Sequence, residues 1–148
     1  MILSSYSLLV NMSTQVGIWW TREQNDRFVA VARSECRNRE YQAEVFLEVV
    51  LLIKDRILEL HRHMEFPEPV QSGQYRTKVY IREDVYQRYA DWAAEFGLKP
   101  SHFISIVLIN MMAWYDRFVP QGRLFSKEGL ADLLAERLAI CHAGVNID

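Results

Sequence analysis

The chain has 148 residues, 50% apolar and 24% charged, which is ordinary globular material and excludes a largely disordered protein. Its 17 Lys and Arg against 19 Asp and Glu leave a net charge of −2, so any face that neutralises phosphates has to be local. The longest apolar run, residues 103–115, is far short of a membrane span, and Cys36 and Cys141 are too few and too distant for a disulfide framework. Together these features point to a cytoplasmic protein with no membrane association.

Residues 1–14 read as a tail: the opening stretch is apolar but lacks a basic n-region and a small-residue cleavage site, so no signal peptide is expected, and Met12 offers an alternative start. Gln15, Val16, Gly17, Ile18, Trp19 and Trp20 then read as a strand. Adjacent tryptophans on a strand face opposite ways, so Trp20 is expected in the core. Trp19 is left to stack, to contact a protein, or to be covered by the tail. Thr21 with Gln24 has capping-box spacing and opens a helix to about Ser34. After a turn at residues 35–38, a second helix is expected from Arg39, continuing to His63 because Val45, Val49, Leu52, Ile53, Ile57, Leu60 and Met64 keep a helical spacing. Residues 65–75, with Pro67, Pro69 and Gly73, read as a linker.

Beyond the linker the plan recurs. Arg76 to Ile81 alternate as a strand, with Thr77, Val79 and Ile81 on one face and Arg76, Lys78 and Tyr80 on the other. Val85, Tyr89, Trp92, Ala93 and Phe96 form the stripe of an amphipathic helix, and Gly97 ends it. A second helix opens at Pro100 and Ser101 and is apolar nearly all round, so deep burial is predicted, with Met111, Met112 and Trp114 as core filling. Pro120 and Gly122 break the chain, and Ser126 caps a last helix carrying Leu130, Leu133, Leu134 and Leu138.

A shift of 61 positions lays residues 15–53 over 76–114. Identities are few, among them Arg27 with Arg88 and Leu47 with Leu108, but apolar positions coincide through three successive elements. The expected organisation is a first unit at 15–64, a linker at 65–75, a second unit at 76–117 and a C-terminal extension at 118–148 with one helix. The fold class is mainly α with a short two-stranded antiparallel ribbon, because one isolated strand can neither satisfy its backbone groups nor bury its apolar face.

A short alternating strand, a helix of about 12 residues, a glycine turn and a second apolar helix, best developed from Arg76 to Trp114, resemble the ribbon–helix–helix family of MetJ, Arc and CopG type. Tandem copies in one chain are similar to conjugation accessory proteins of the TraY type. The resemblance implies an intramolecular pseudo-dimer that binds double-stranded DNA through its ribbon, as a transcriptional repressor or DNA-transfer accessory protein, alone or as a higher homo-oligomer. It places base reading on Arg76, Lys78 and Tyr80 of the second strand and Gln15, Gly17 and Trp19 of the first, and phosphate binding on Asn38, Arg39, Lys99, Ser101 and His102 at the second helices' N-termini.

The first unit departs from the pattern. Gly17 has no side chain, Trp19 is bulky, and Cys36 stands where the second unit has Gly97, so a differently shaped turn is expected there. An exposed strand face with solvated charges is the plainer reading of Arg76, Lys78 and Tyr80. The alternative function is a protein-interaction or inhibitor module on the same scaffold, with Trp19 and the C-terminal helix as contact surfaces. His61 and His63 do not share a helix face, and Cys141 with His142 lacks further ligand spacing, so no metal is expected. No phosphate loop, nucleophile elbow or metalloprotease motif points to an enzyme or a cofactor.

Overall fold

The computed structural model describes residues 12–67 and 76–142. Most of the expected tail and linker, including Pro69 and Gly73, therefore lie outside the described residues. Strand β1, Ser13–Trp19, alternates as its sequence dictates: Val16 and Ile18 are buried, Gln15 is exposed, and Trp20 just beyond the strand is fully buried. Thr21 closes the capping box, its hydroxyl accepting from Gln24 N while the Gln24 side chain accepts from Thr21 N, and helix α1, Arg22–Ser34, comes next. Its buried stripe is Asn25, Phe28, Val31 and Ala32. Asn38 caps helix α2, Arg39–Lys54, by accepting from Tyr41 N.

Helix α2 ends nine residues before the His63 that its apolar spacing suggests. The chain turns, Glu59 takes a left-handed conformation at φ 58°, and a 3-10 turn covers Leu60–His63. Leu60 and Met64 are still buried, so the spacing records burial correctly, but the segment reaches the core through a bend. The Asn110 side chain anchors the backbone of Glu65 beyond that turn, its Oδ1 accepting from Glu65 N at 2.8 Å and its Nδ2 donating to Glu65 O at 2.7 Å.

The second half runs through strand β2, Arg76–Arg82, helix α3, Glu83–Ala94, and helix α4, Pro100–Phe118. Thr77, Val79 and Ile81 are buried while Arg76, Lys78 and Tyr80 are exposed. Helix α4 buries residues on all sides, including Phe103, Ile104, Val107, Leu108, Met111, Met112 and Trp114. Helix α5, Lys127–His142, starts with Gly129 N donating to Ser126 Oγ and lays Leu130, Ala131, Leu134, Ala135 and Leu138 on the core, chiefly against α2. Its apolar stripe is thereby occupied within the chain.

Strand, helix and helix thus occur twice in the same order. The two strands pair antiparallel, with β1 lying beside α4 and β2 beside α2, so each strand packs on a helix from the other half. One continuous core results, from Val16 to Leu138.

The turns after α1 and α3 agree more closely than the sequence suggests. Cys36 takes φ 57° and Gly97 takes φ 67°. Arg37 N donates to Ala32 O as Leu98 N donates to Ala93 O, and Cys36 N donates to Arg33 O as Gly97 N does to Ala94 O. The expectation of a different turn at Cys36 is therefore corrected. The residue carries its Cβ in the left-handed region, at a conformational cost that glycine avoids.

Candidate nucleic-acid interface

The ribbon has a dry face and an open one. Val16, Ile18, Thr77, Val79 and Ile81 close against the helices. The other face presents three cross-strand pairs, Gln15 opposite Tyr80, Gly17 opposite Lys78 and Trp19 opposite Arg76.

Backbone geometry makes these pairs close. Trp19 N donates outward to Ser105 Oγ at 3.0 Å, Tyr80 N donates outward to Glu40 Oε2 at 2.9 Å, and Lys78 O accepts from Arg39 Nη2 at 3.0 Å. Residues whose amide and carbonyl point away from the partner strand form the non-hydrogen-bonded pairs of an antiparallel ladder, where opposed side chains approach most tightly. Accordingly Gln15 Nε2 reaches Tyr80 Oη at 3.3 Å, and the Arg76 guanidinium lies 4.8 Å from the centre of the Trp19 ring. Tyr80 remains 55% exposed.

Gly17 is buried even though it belongs to the open face, because the Arg76 side chain covers it. Of the six expected base-reading positions, Arg76, Lys78, Tyr80 and Gln15 present exposed side chains and Trp19 is half-buried.

The same outward bonds flank the ribbon with the first two turns of α2 and α4. Arg39 and Glu40 of α2 grip the edge of β2, and Glu44 Oε1 accepts from Arg82 N at 3.4 Å. Ser105 of α4 grips β1 while donating to Ser101 O at 2.8 Å.

The expected phosphate positions differ in state. The Asn38 side chain is engaged as the α2 cap, and Arg39 spends a donor on the Lys78 carbonyl. At α4 no side chain caps the N-terminus, Pro100 occupies its first turn, Lys99 is exposed, and Ser101 and His102 are half-buried. The backbone amides opening α4 are the better placed to meet an anion.

The sequence matches no protein-family model, and neither the curated proteins nor the solved structures contain a match to it. The ribbon has to be read from its own chemistry.

Ser105, Glu40 and Glu44, which fasten the ribbon's edges, have no strand-like or motif signal of their own. Arg82 does, since it continues the alternation of Arg76, Lys78 and Tyr80. Its guanidinium is neutralised by Glu44 at 3.4 Å, Glu48 at 3.0 Å and Asp84 at 3.2 Å, so it is withdrawn from the cations of the open face. Lys127 pairs with Glu48 in the same network, and that hydrogen bond raises the Lys127 pKa. A pocket of about 420 Å³ opens there, lined by Glu48, Arg82, Asp84, Arg88, Asp91 and Lys127.

Elsewhere, His61 packs its ring 5.2 Å from that of Phe96, and Cys36 is an exposed free thiol. Among the described residues no group of three or more His, Cys, Asp or Glu could hold a metal ion, and no helix is long and apolar enough to cross a membrane.

Proposed function

We propose that this chain binds double-stranded DNA sequence-specifically by laying its two-stranded ribbon in the major groove, as a single-chain counterpart of a ribbon–helix–helix dimer. The supporting observation is the open face of the ribbon. Arg76, Lys78, Tyr80 and Gln15 lie side by side on the exposed face of a ribbon whose other face packs Val16, Ile18, Thr77, Val79 and Ile81 against the helices. A ribbon of this width fits the major groove, where Arg or Lys reads guanine O6 and N7 and Gln reads adenine.

The flanking helix N-termini, above all the uncapped one at Lys99, Pro100 and Ser101, would position the duplex by its phosphates. Both strands come from one polypeptide, so a monomer suffices, and the unequal strands suit a non-palindromic site. A cytoplasmic repressor or DNA-transfer accessory role fits this reading. Selection of bound sequences from random duplexes, and then titration at several salt concentrations, tests it: a sequence motif should emerge, and affinity should fall steeply with salt.

A second reading has its own support in the net charge of −2 and in Glu40 and Glu44 beside the ribbon. It makes the open face a protein-contact surface. Complete flow-through on heparin and DNA resins at low salt would favour it.

A further inference from the structure

On the open face Arg76 does not extend into solvent as an isolated cation. Its guanidinium lies over the ring of Trp19, directly opposite it in the ladder, and folds across Gly17, the diagonal neighbour. A Cβ at position 17 would meet Arg76 Nε and Nη2 at 2.6 Å each and Cζ at 3.0 Å. These three distances put the added carbon in front of the Nε–Nη2 edge. That edge is therefore turned onto the Gly17 backbone, and the end of the guanidinium carrying Nη1 is directed away from it.

We propose that Gly17 and Trp19 are positioning residues that cradle the Arg76 guanidinium on the ribbon face, and that Arg76 so held is the determinant of a guanine preference in the half of the site facing β2. This rests on the DNA-binding reading and adds a role for the two β1 positions that look unsuited to reading bases. Gly17 supplies room and Trp19 supplies a flat surface. Held over the ring with one edge against Gly17, the guanidinium keeps the donors at its Nη1 end free while losing rotamer freedom, so less ordering remains to be done on binding. Lysine could not substitute, because a compact ammonium has neither the plane nor the fork.

Gly17→Ala is a clean probe. The atoms in the way belong to the tip of a flexible side chain, and Gly17 does not adopt a positive φ, so an extended strand accepts alanine and the fold is retained. The Arg76 Nε–H resonance should be displaced in the wild type by the Trp19 ring current and should move toward its ordinary position in Gly17→Ala and in Trp19→Ala. The affinity ratio between the selected duplex and one with its guanines replaced should fall about fivefold in Gly17→Ala and at least as far in Arg76→Lys, while the salt dependence, set by charge, stays unchanged.

An Arg76 resonance unmoved by Gly17→Ala overturns the cradle. Undiminished discrimination in Gly17→Ala, from a protein whose wild type does discriminate, overturns its role in recognition while leaving DNA binding intact. A wild type that prefers no duplex over another overturns the guanine role together with the proposed function, and the resonance alone then decides the cradle.

Discussion

Gly17 and Lys78 lie directly opposite each other across the ribbon and stand 61 positions apart, the offset that also superposes Cys36 on Gly97 and Arg37 on Leu98. On the proposed single-chain counterpart of a ribbon–helix–helix dimer, this pair would lie at the centre of the ribbon. At that centre one side contributes a cation and the other only backbone. Lys78→Ala should therefore remove about one phosphate or base contact: the slope of log affinity against log salt should shallow by about 0.9. Circular dichroism should be unaltered, since Lys78 is exposed.

The left-handed turns give a stability prediction independent of function. Cys36→Gly should stabilise by about 0.5–1 kcal/mol, because the relief of a Cβ at positive φ outweighs the gain of backbone entropy in the unfolded chain. Gly97→Ala should destabilise by about 1 kcal/mol, and since nothing lies within 4 Å of the added carbon the cost is conformational. Urea unfolding of both variants measures the pair.

The phenol of Tyr89 is fully buried and donates to Leu47 O at 2.5 Å, and burial raises its pKa well above 10.0. Tyr115, which donates to Glu35 Oε1 at 2.6 Å, is also raised, chiefly by burial and then by that hydrogen bond. Both phenols stay protonated in the folded chain at pH values where the unfolded chain ionises. Stability is therefore unaffected by them below about pH 10 and falls above it, by up to about 1.4 kcal/mol per pH unit for the fully buried Tyr89 and by less for the partly exposed, solvent-screened Tyr115. Tyr89→Phe should cost about 1 kcal/mol at neutral pH and flatten the alkaline fall, as read from unfolding midpoints between pH 8 and 11.

Leu134 sits at 0% exposure in α5. Leu134→Ala should cost about 2–5 kcal/mol in chemical denaturation, as expected for a leucine deleted from a packed core. A cost within the range of surface substitutions would show that α5 is an accessory element that leaves the core closed without it.

Much of this structure was legible from local rules. The Thr21 capping box, the alternation of β2 and the glycine turn at Gly97 each depend on residues close in sequence, and each element stands where those residues place it. The end of α2 was not legible, because Leu60 and Met64 continue the apolar spacing while Glu59, a residue with no turn preference, makes the bend. Nor was the character of Gly17. Its role depends on a side chain from the opposite strand, and no spacing rule within β1 reveals that Arg76 lies across it. The ion pairs of Arg82 were hidden for the same reason, two of its partners coming from a helix of the other half.

If the open face of the ribbon reads DNA, the affinity of Arg76→Ala/Lys78→Ala for a duplex selected by the wild-type protein is the most direct measure of it, with folding checked by the unfolding transition. The expected result is loss of preference for the selected sequence over a scrambled one, with the transition retained, because both side chains are exposed. Undiminished sequence preference in the folded double variant would contradict a DNA-reading ribbon.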